Sequence, residues 1–236
     1  MSFFKRLFSP TDSNDSDNSI CFSEGDIFYT QFEDKCHIYK LLVEDAETYH
    51  VLTYVELDKL PNIPDLDNLP VLIHHSPFDR KAFENAVLLA NRPVNSIDLI
   101  GYHEYLRQTQ SPNYYVQIAN DYYQSGLRLT DEKLYKDAID VYSKAIDLFP
   151  QFFEAIDNRA FCKMDRGLWN EAIEDFKLSL QVNPNSLLAE FSIGECYFNM
   201  SDYQNAKLQF EKAHQIDPNH PAPLHFLNRV NEIIKG

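Results

Sequence analysis

Three prolines divide the second half of this chain into equal lengths. Pro150, Pro184 and Pro218 follow one another at the same interval. Small and aromatic residues recur ahead of the prolines at this interval, in the sets Ala138, Ala172 and Ala206; Ala145, Ser179 and Ala213; and Tyr142, Phe176 and Phe210. A fixed period of about 34 residues predicts an array of helical units that each pack against their neighbours.

Each unit is predicted to contain two helices. In the third unit we expect them over residues 189–200 and 203–216, separated by Ser201 and Asp202. Small residues let the helices cross closely, aromatic rings fill the space between units, and proline ends the second helix before the next unit begins. A further amphipathic segment, residues 221–235, is predicted to cap the array.

This pattern resembles the tetratricopeptide repeat, which ends in alanine, an aromatic residue four positions later, and proline. Residues 118–122 are aligned with residues 193–197 of the third unit, so Ala119 takes the place of Gly194. On that alignment the segment from residue 126 to residue 135 covers nine positions, whereas the matching segment of the second unit, from residue 167 to residue 169, covers only two. We therefore expect seven extra residues in the first unit, as longer helices or an extended turn.

The first half of the chain shows a different pattern. Stretches 26–32, 37–43 and 48–57 are rich in β-branched and aromatic residues and are separated by short polar turns, which predicts an antiparallel meander. Residues 71–74 are a candidate fourth strand. Ser76 and Pro77 predict a helix start, with Phe83, Ala86, Val87 and Ala90 on its apolar face, and a second helix is expected after Ser96.

The predicted organisation is a small α+β domain over residues 21–110 followed by an all-α solenoid of three helix pairs and a capping helix over residues 114–236. Residues 9–19 contain no apolar side chain, so residues 1–20 are expected to form a flexible tail. The apolar head at residues 3–8 has two interpretations, a frayed terminus or a weak contact with a membrane or a partner.

Composition excludes several classes of function. Acidic residues outnumber basic ones 36 to 21, for a net charge of −15, which argues against nucleic acid as a partner. No apolar run reaches the roughly 18 residues of a membrane span. The four cysteines have no metal-ligand spacing, so no cofactor is predicted. They are expected to be reduced thiols, which favours a cytoplasmic location.

The resemblance implies that the first helices of the units line a concave groove that binds a peptide or a partner helix. Its acidic and aromatic side chains favour a protein ligand that is apolar with a basic component. The groove residues it implies are Val116, Gln117, Asn120, Tyr123, Glu154, Asp157, Asn158, Phe161, Met164, Leu188, Phe191, Ser192, Glu195 and Phe198.

One subset of the family clamps the carboxylate tail of heat-shock chaperones with two asparagines and three basic residues. The resemblance puts Asn120 and Asn158 at the amide positions, but Val116, Leu188 and Ser192 at the basic ones. A carboxylate terminus needs charge-assisted donors, so the sequence argues against that ligand.

Two other classes of function remain open from the sequence. An acidic inhibitor or immunity-type protein would bind a basic partner through its net charge. An enzyme would need an unrecognised site in the first domain, where His74 and His75 are the candidates. Adjacent residues of a strand point to opposite faces, which disfavours a shared site for these two histidines. The preferred prediction is a non-enzymatic adaptor.

Overall fold

The computed structural model describes residues 21–235, and the predicted tail at residues 1–20 lies outside this range. The first part is a five-stranded antiparallel sheet in the order β4-β3-β2-β1-β5. The strands are β1 (Asp26–Phe32), β2 (Lys35–Asp45), β3 (Thr48–Tyr54), β4 (Val71–Asp79) and β5 (Val87–Asn91). The predicted meander and its fourth strand are confirmed.

The helix predicted from Ser76 is wrong. Pro77 and Phe78 lie in β4 opposite His50 and Tyr49, and β4 is an edge strand, where proline is tolerated. The capping chemistry acts a few residues later, because the Asp79 carboxylate accepts a hydrogen bond from the Lys81 amide at the start of a short 3-10 helix, Arg80–Phe83. Residues 87–91 then pair with β1, so strand pairing overrides the local helix signal.

The sheet has an apolar core on each face, because side chains alternate along its strands. Phe28, Leu41 and Val51 pack with Phe22 and Phe83 on the outer face. The inner face packs against α1 (Ile100–Thr109), the helix expected after Ser96, and against the first helix of the array. One apolar cluster therefore joins the sheet to the repeats.

The second part consists of three helix pairs and a last helix, which confirms the predicted solenoid. The pairs are α2 (Pro112–Asp131) with α3 (Tyr135–Leu148), α4 (Phe153–Asp165) with α5 (Trp169–Val182), and α6 (Leu187–Asn199) with α7 (Tyr203–Ile216). The second helices begin and end at the interval that separates the prolines. Lys133, Gly167 and Ser201, with positive φ in the turns inside the pairs, recur at the same interval.

The alignment of the first unit is wrong by seven residues. Gly126, and not Ala119, matches Gly194, since each glycine lies against the aromatic ring sixteen positions later, on Tyr142 or Phe210. Helix α2 has 20 residues where α4 has 13, and its end matches the end of α4, so the seven additional residues precede the unit. They lengthen the first helix at its start and add nothing to the turn.

The last helix, α8 (Pro221–Lys235), begins one full period after α6 and has the position of a fourth first helix. Leu227 and Val230 are buried against the third pair, as expected for a cap. No helix between residues 21 and 235 is long and apolar enough to cross a membrane.

Candidate functional site

The concave positions remain a prediction, which the corrected spacing of the array revises. In the second and third units they are those named from the sequence. In the first unit the four named positions shift by seven residues, to Tyr123, Gln124, Leu127 and Thr130, and Asn120 takes the place that Glu154 has in the second unit. Asn120 and Tyr123 therefore remain concave residues, although each occupies a different place in the unit from the one predicted. Val116 and Gln117 belong to the additional turns of α2.

The predicted groove side chains differ in how far they reach the surface. Glu154 and Leu188 are exposed, and Leu188 has 47% of its surface accessible. Asp157 and Ser192 are buried instead, at 6% and 1%. The remaining predicted residues are half-buried, except for Gln117, which is exposed.

Asp157 lies beneath the concave surface. Burial raises the pKa of its carboxyl, although the nearby Ser179 hydroxyl opposes the shift. One of its oxygens has no hydrogen-bond partner within residues 21–235. Burial also raises the pKa of the half-buried Glu195 in the third unit. Of the concave carboxylates, Glu154 is thus the one held fully at the surface.

The aromatic side chains of the third unit are largely engaged by the capping helix. Phe226 of α8 packs edge-on against Phe191 and Phe198, with ring centroids 5.3 and 5.8 Å apart. Arg229 lies over the Phe198 ring at 4.7 Å. These rings stabilise the end of the array and leave Leu188 as the open apolar side chain of this unit.

The cations of α4 are turned away from the groove. The guanidinium of Arg159 donates two hydrogen bonds to Asp175 of α5, at 2.8 and 2.7 Å, and the Lys163 ammonium lies 2.6 Å from the same carboxylate. Asp175 is buried, so this ion pair network is internal. The concave positions of the three units consequently carry acidic residues but no lysine or arginine.

The shift in alignment removes most of the carboxylate clamp. The amide place assigned to Asn120 is held by Leu127, and the basic place assigned to Val116 is held by Tyr123. Asn158 keeps its place, but its amide donates to the Tyr123 hydroxyl at 3.3 Å and to the Glu154 carbonyl at 2.8 Å. The remaining amide is thus used within the chain.

A cleft of about 500 Å³ opens beside these residues, and we call it the α2–α4 cleft. Its lining combines four side chains of α2, two residues that join α3 to α4, and one residue of α4: Asn113, Val116, Gln117, Asn120, Phe149, Phe152 and Glu154. Sequence reasoning missed Asn113, Phe149 and Phe152. Pro112 after Ser111 is a helix-start signal that would have revealed the longer α2.

The histidines considered for catalysis are separated by the sheet. His74 is exposed, whereas His75 lies with its Nε2 2.9 Å from the Nδ1 of buried His50. Tyr102 and Tyr105 of α1 pack around this pair. Across residues 21–235 no group of three or more metal-ligating side chains comes together.

Helix pairs that recur with one fixed period, with a small residue against an aromatic ring, define a tetratricopeptide-repeat protein. The family model described as "Tetratricopeptide repeat" matches residues 191–220, which contain most of the third pair. The preceding pairs have the same helix limits one and two periods earlier, except that α2 begins seven residues sooner. The third pair therefore contains a tetratricopeptide repeat, and the two pairs before it repeat its architecture, as the sequence predicts.

Several curated proteins are similar to this region. Hsp70-Hsp90 organizing protein 2 of Arabidopsis thaliana is 28% identical over 55% of this chain and 23% of its own length. The co-chaperone sgt12 of Aspergillus fumigatus is 33% identical over 37% of this chain and 26% of its own length. The chain thus spans about a quarter of the length of these relatives.

Two solved structures are also similar. The Sgt2 TPR domain from Aspergillus fumigatus is 27% identical, with a TM-score of 0.47 over 53% of this chain and 81% of that one. The first TPR of Spaghetti, bound to an HSP90 peptide, is 22% identical, with a TM-score of 0.49 over 51% of this chain and 95% of that one.

Proposed function

We propose that this chain is a non-enzymatic adaptor that binds a segment of a partner protein along the concave face of its repeats. The observation that carries the proposal is the composition of that face, which exposes Leu188 and Glu154 and has no cation in its three units. The names of its relatives, an organizing protein and a co-chaperone, support an adaptor role.

The chemistry of this face favours an apolar segment with a basic component. An exposed apolar side chain gains free energy when a partner covers it, and acidic side chains steer a cationic ligand toward the surface. An acidic chaperone tail would meet Glu154 and Glu195 without a compensating cation in the three units. We therefore expect this chain to bind other sequences than the HSP90 peptide bound by the first TPR of Spaghetti.

The test is capture of partners by the full chain and by two matched variants. Leu188→Asp places a charge on the concave face, whereas Leu208→Asp places it on the second helix α7, at a leucine of nearly equal exposure, 47% against 49%. We expect Leu188→Asp to reduce recovery of the captured partner about tenfold and Leu208→Asp to leave it unchanged. Binding should also weaken as salt is raised.

Equal recovery with both variants would show that partners bind elsewhere. Phe191→Ala and Asp157→Lys are poorer probes. Phe191 packs against Phe210 and Phe226, and Asp157 is buried, so either change would disturb the array itself. Circular dichroism on both leucine variants would confirm that their helices are intact.

A further inference from the structure

The additional turns of α2 create a surface that three repeats alone would not have. Asn113, Val116 and Gln117 lie on these turns, and they face Phe149 and Phe152, which join α3 to α4. The α2–α4 cleft therefore depends on the seven residues by which α2 exceeds α4. Its volume, about 500 Å³, is within the usual range of ligand sites.

Three of the four polar side chains of the cleft are free to bind a ligand. Within residues 21–235 the side chains of Asn113, Asn120 and Glu154 form no hydrogen bond or ion pair, whereas Gln117 donates to Asp121 at 3.2 Å. An asparagine amide can donate and accept at once, which matches the alternating N–H and C=O groups of an extended main chain. Two free amides beside an apolar surface are thus suited to reading a peptide backbone.

The apolar surface and the negative charge of the cleft determine which ligand side chains it favours. Val116, Phe149 and Phe152 are half-buried and leave part of their apolar surface open. Phe152 is held in place by Tyr123, with ring centroids 4.8 Å apart. Glu154 is the one charged residue in the lining, and no cation in the described part of the chain pairs with it. An apolar side chain beside a cation complements this arrangement.

We propose that the α2–α4 cleft binds an extended peptide segment in which an apolar residue adjoins lysine or arginine. Asn113 and Asn120 hydrogen-bond the peptide backbone, Val116 and the two phenylalanines contact the apolar side chain, and Glu154 pairs with the cation. This rests on the proposed function and assigns the basic component of the partner to one end of the concave face.

The test measures fluorescence anisotropy of labelled synthetic peptides with the full chain. The probe Gly-Ser-Leu-Lys-Leu-Ser-Gly is compared with versions in which glutamine or glutamate replaces lysine. We expect the lysine peptide to bind about threefold more tightly than the glutamine peptide, and the glutamate peptide to bind most weakly. Glu154→Gln should bring the lysine-to-glutamine ratio to about one.

The controls separate this site from the rest of the groove. Glu171→Gln removes an exposed carboxylate on α5 and should leave the lysine preference intact. Asn120→Ala should weaken all three peptides alike, since it removes a contact to the main chain. A lysine preference that survives Glu154→Gln, or the absence of binding by any of the peptides, would overturn the assignment.

Failure of the cleft and failure of the proposed function give different results. If the cleft variants have no effect but Leu188→Asp still reduces partner capture, the groove binds the partner and the cleft does not. If neither Leu188→Asp nor the cleft variants change capture, the adaptor proposal itself fails.

Discussion

Two glycines allow the two helices of the first pair and of the third pair to pack closely against each other. A Cβ atom on Gly194 would lie 2.5 Å from Cε1 of Phe210, and one on Gly126 would clash in the same way with Tyr142. Both rings are fully buried, so they have little freedom to move aside. The second unit has Ala160 in the matching place, which shows that the spacing between helices differs slightly among the pairs.

Gly194→Ala is expected to destabilise the array by about 1–3 kcal/mol, because overpacking outweighs the better helix propensity of alanine. The measurement is the free energy of unfolding in urea, followed through Trp169 of α5. Adding Phe210→Leu should recover part of this loss, since a smaller side chain gives the new methyl group room. Additive effects of the two changes would contradict the proposed clash.

At the level of elements, the most unusual contact joins the sheet to α1. His50 of β3 and His75 of β4 share a hydrogen bond and lie against Tyr102 and Tyr105. Burial, reinforced by the charge of His50, lowers the pKa of His75 to about 4, and burial also lowers the pKa of His50 against the opposing influence of Asp45. Folding therefore favours the neutral form of both rings.

The lowered pKa values of the two histidines predict that acid destabilises the fold. The stabilising contribution is complete above the ordinary histidine pKa of 6.5 and is lost as the pH falls from there toward about 4. Over that pH interval the free energy of unfolding of the natural chain should fall by about 1–2 kcal/mol more than that of a double variant, His50→Phe with His75→Phe. His74→Asn, at an exposed neighbour, is the control and should retain the full acid dependence.

On the scale of the whole molecule, the sheet and the repeats share one core. Ile27, Leu52 and Leu106 belong to the same apolar cluster as Ala119 and Leu148. Polar contacts cross the same boundary: Lys144 donates to the Val94 carbonyl at 2.6 Å, the Ser96 amide donates to Asp140 at 2.9 Å, and His103 lies 2.6 Å from Asp147. The separation into residues 21–110 and 114–236 remains a prediction, and this shared core favours a single cooperative unit.

Leu52→Ala tests that cooperativity. Leu52 is buried in the sheet, whereas the sole tryptophan, Trp169, lies in the second helix pair. A loss of about 2–4 kcal/mol should appear in the unfolding transition reported by Trp169 fluorescence. Val87→Ala, at an exposed position of β5, is the control. A tryptophan transition that Leu52→Ala leaves unmoved would mean that the two parts unfold separately.

Secondary structure could be predicted from the sequence where its pattern is periodic or alternating. The spacing of the prolines predicted the helix pairs, and the first three strands lie close to where they were expected. Prediction failed at β4 because Ser76 and Pro77 imitate a helix start while their strand pairing is with residues far along the chain. It placed the first unit wrongly because Ala119 and Tyr122 match the repeat pattern by chance, whereas the contact of Gly126 with Tyr142 is visible only in three dimensions.

The α2–α4 cleft and the shared core were beyond sequence reasoning for a related reason. Phe149 and Phe152 precede and begin the second unit, where the pattern of the family expects a connection rather than a binding surface. The hydrogen bond between Lys144 and Val94 joins residues 50 positions apart, and no periodicity relates them. Contacts of this kind depend on how the sheet packs against the helical repeats.

The docked sheet also limits how copies of this protein can assemble. A helical array with two bare ends can stack end upon end into an open filament, because each copy offers a different surface to the next. Here α1 and the sheet occupy the surface of α2 on which a preceding unit would stack. No second copy can therefore add its repeats at this end of the array.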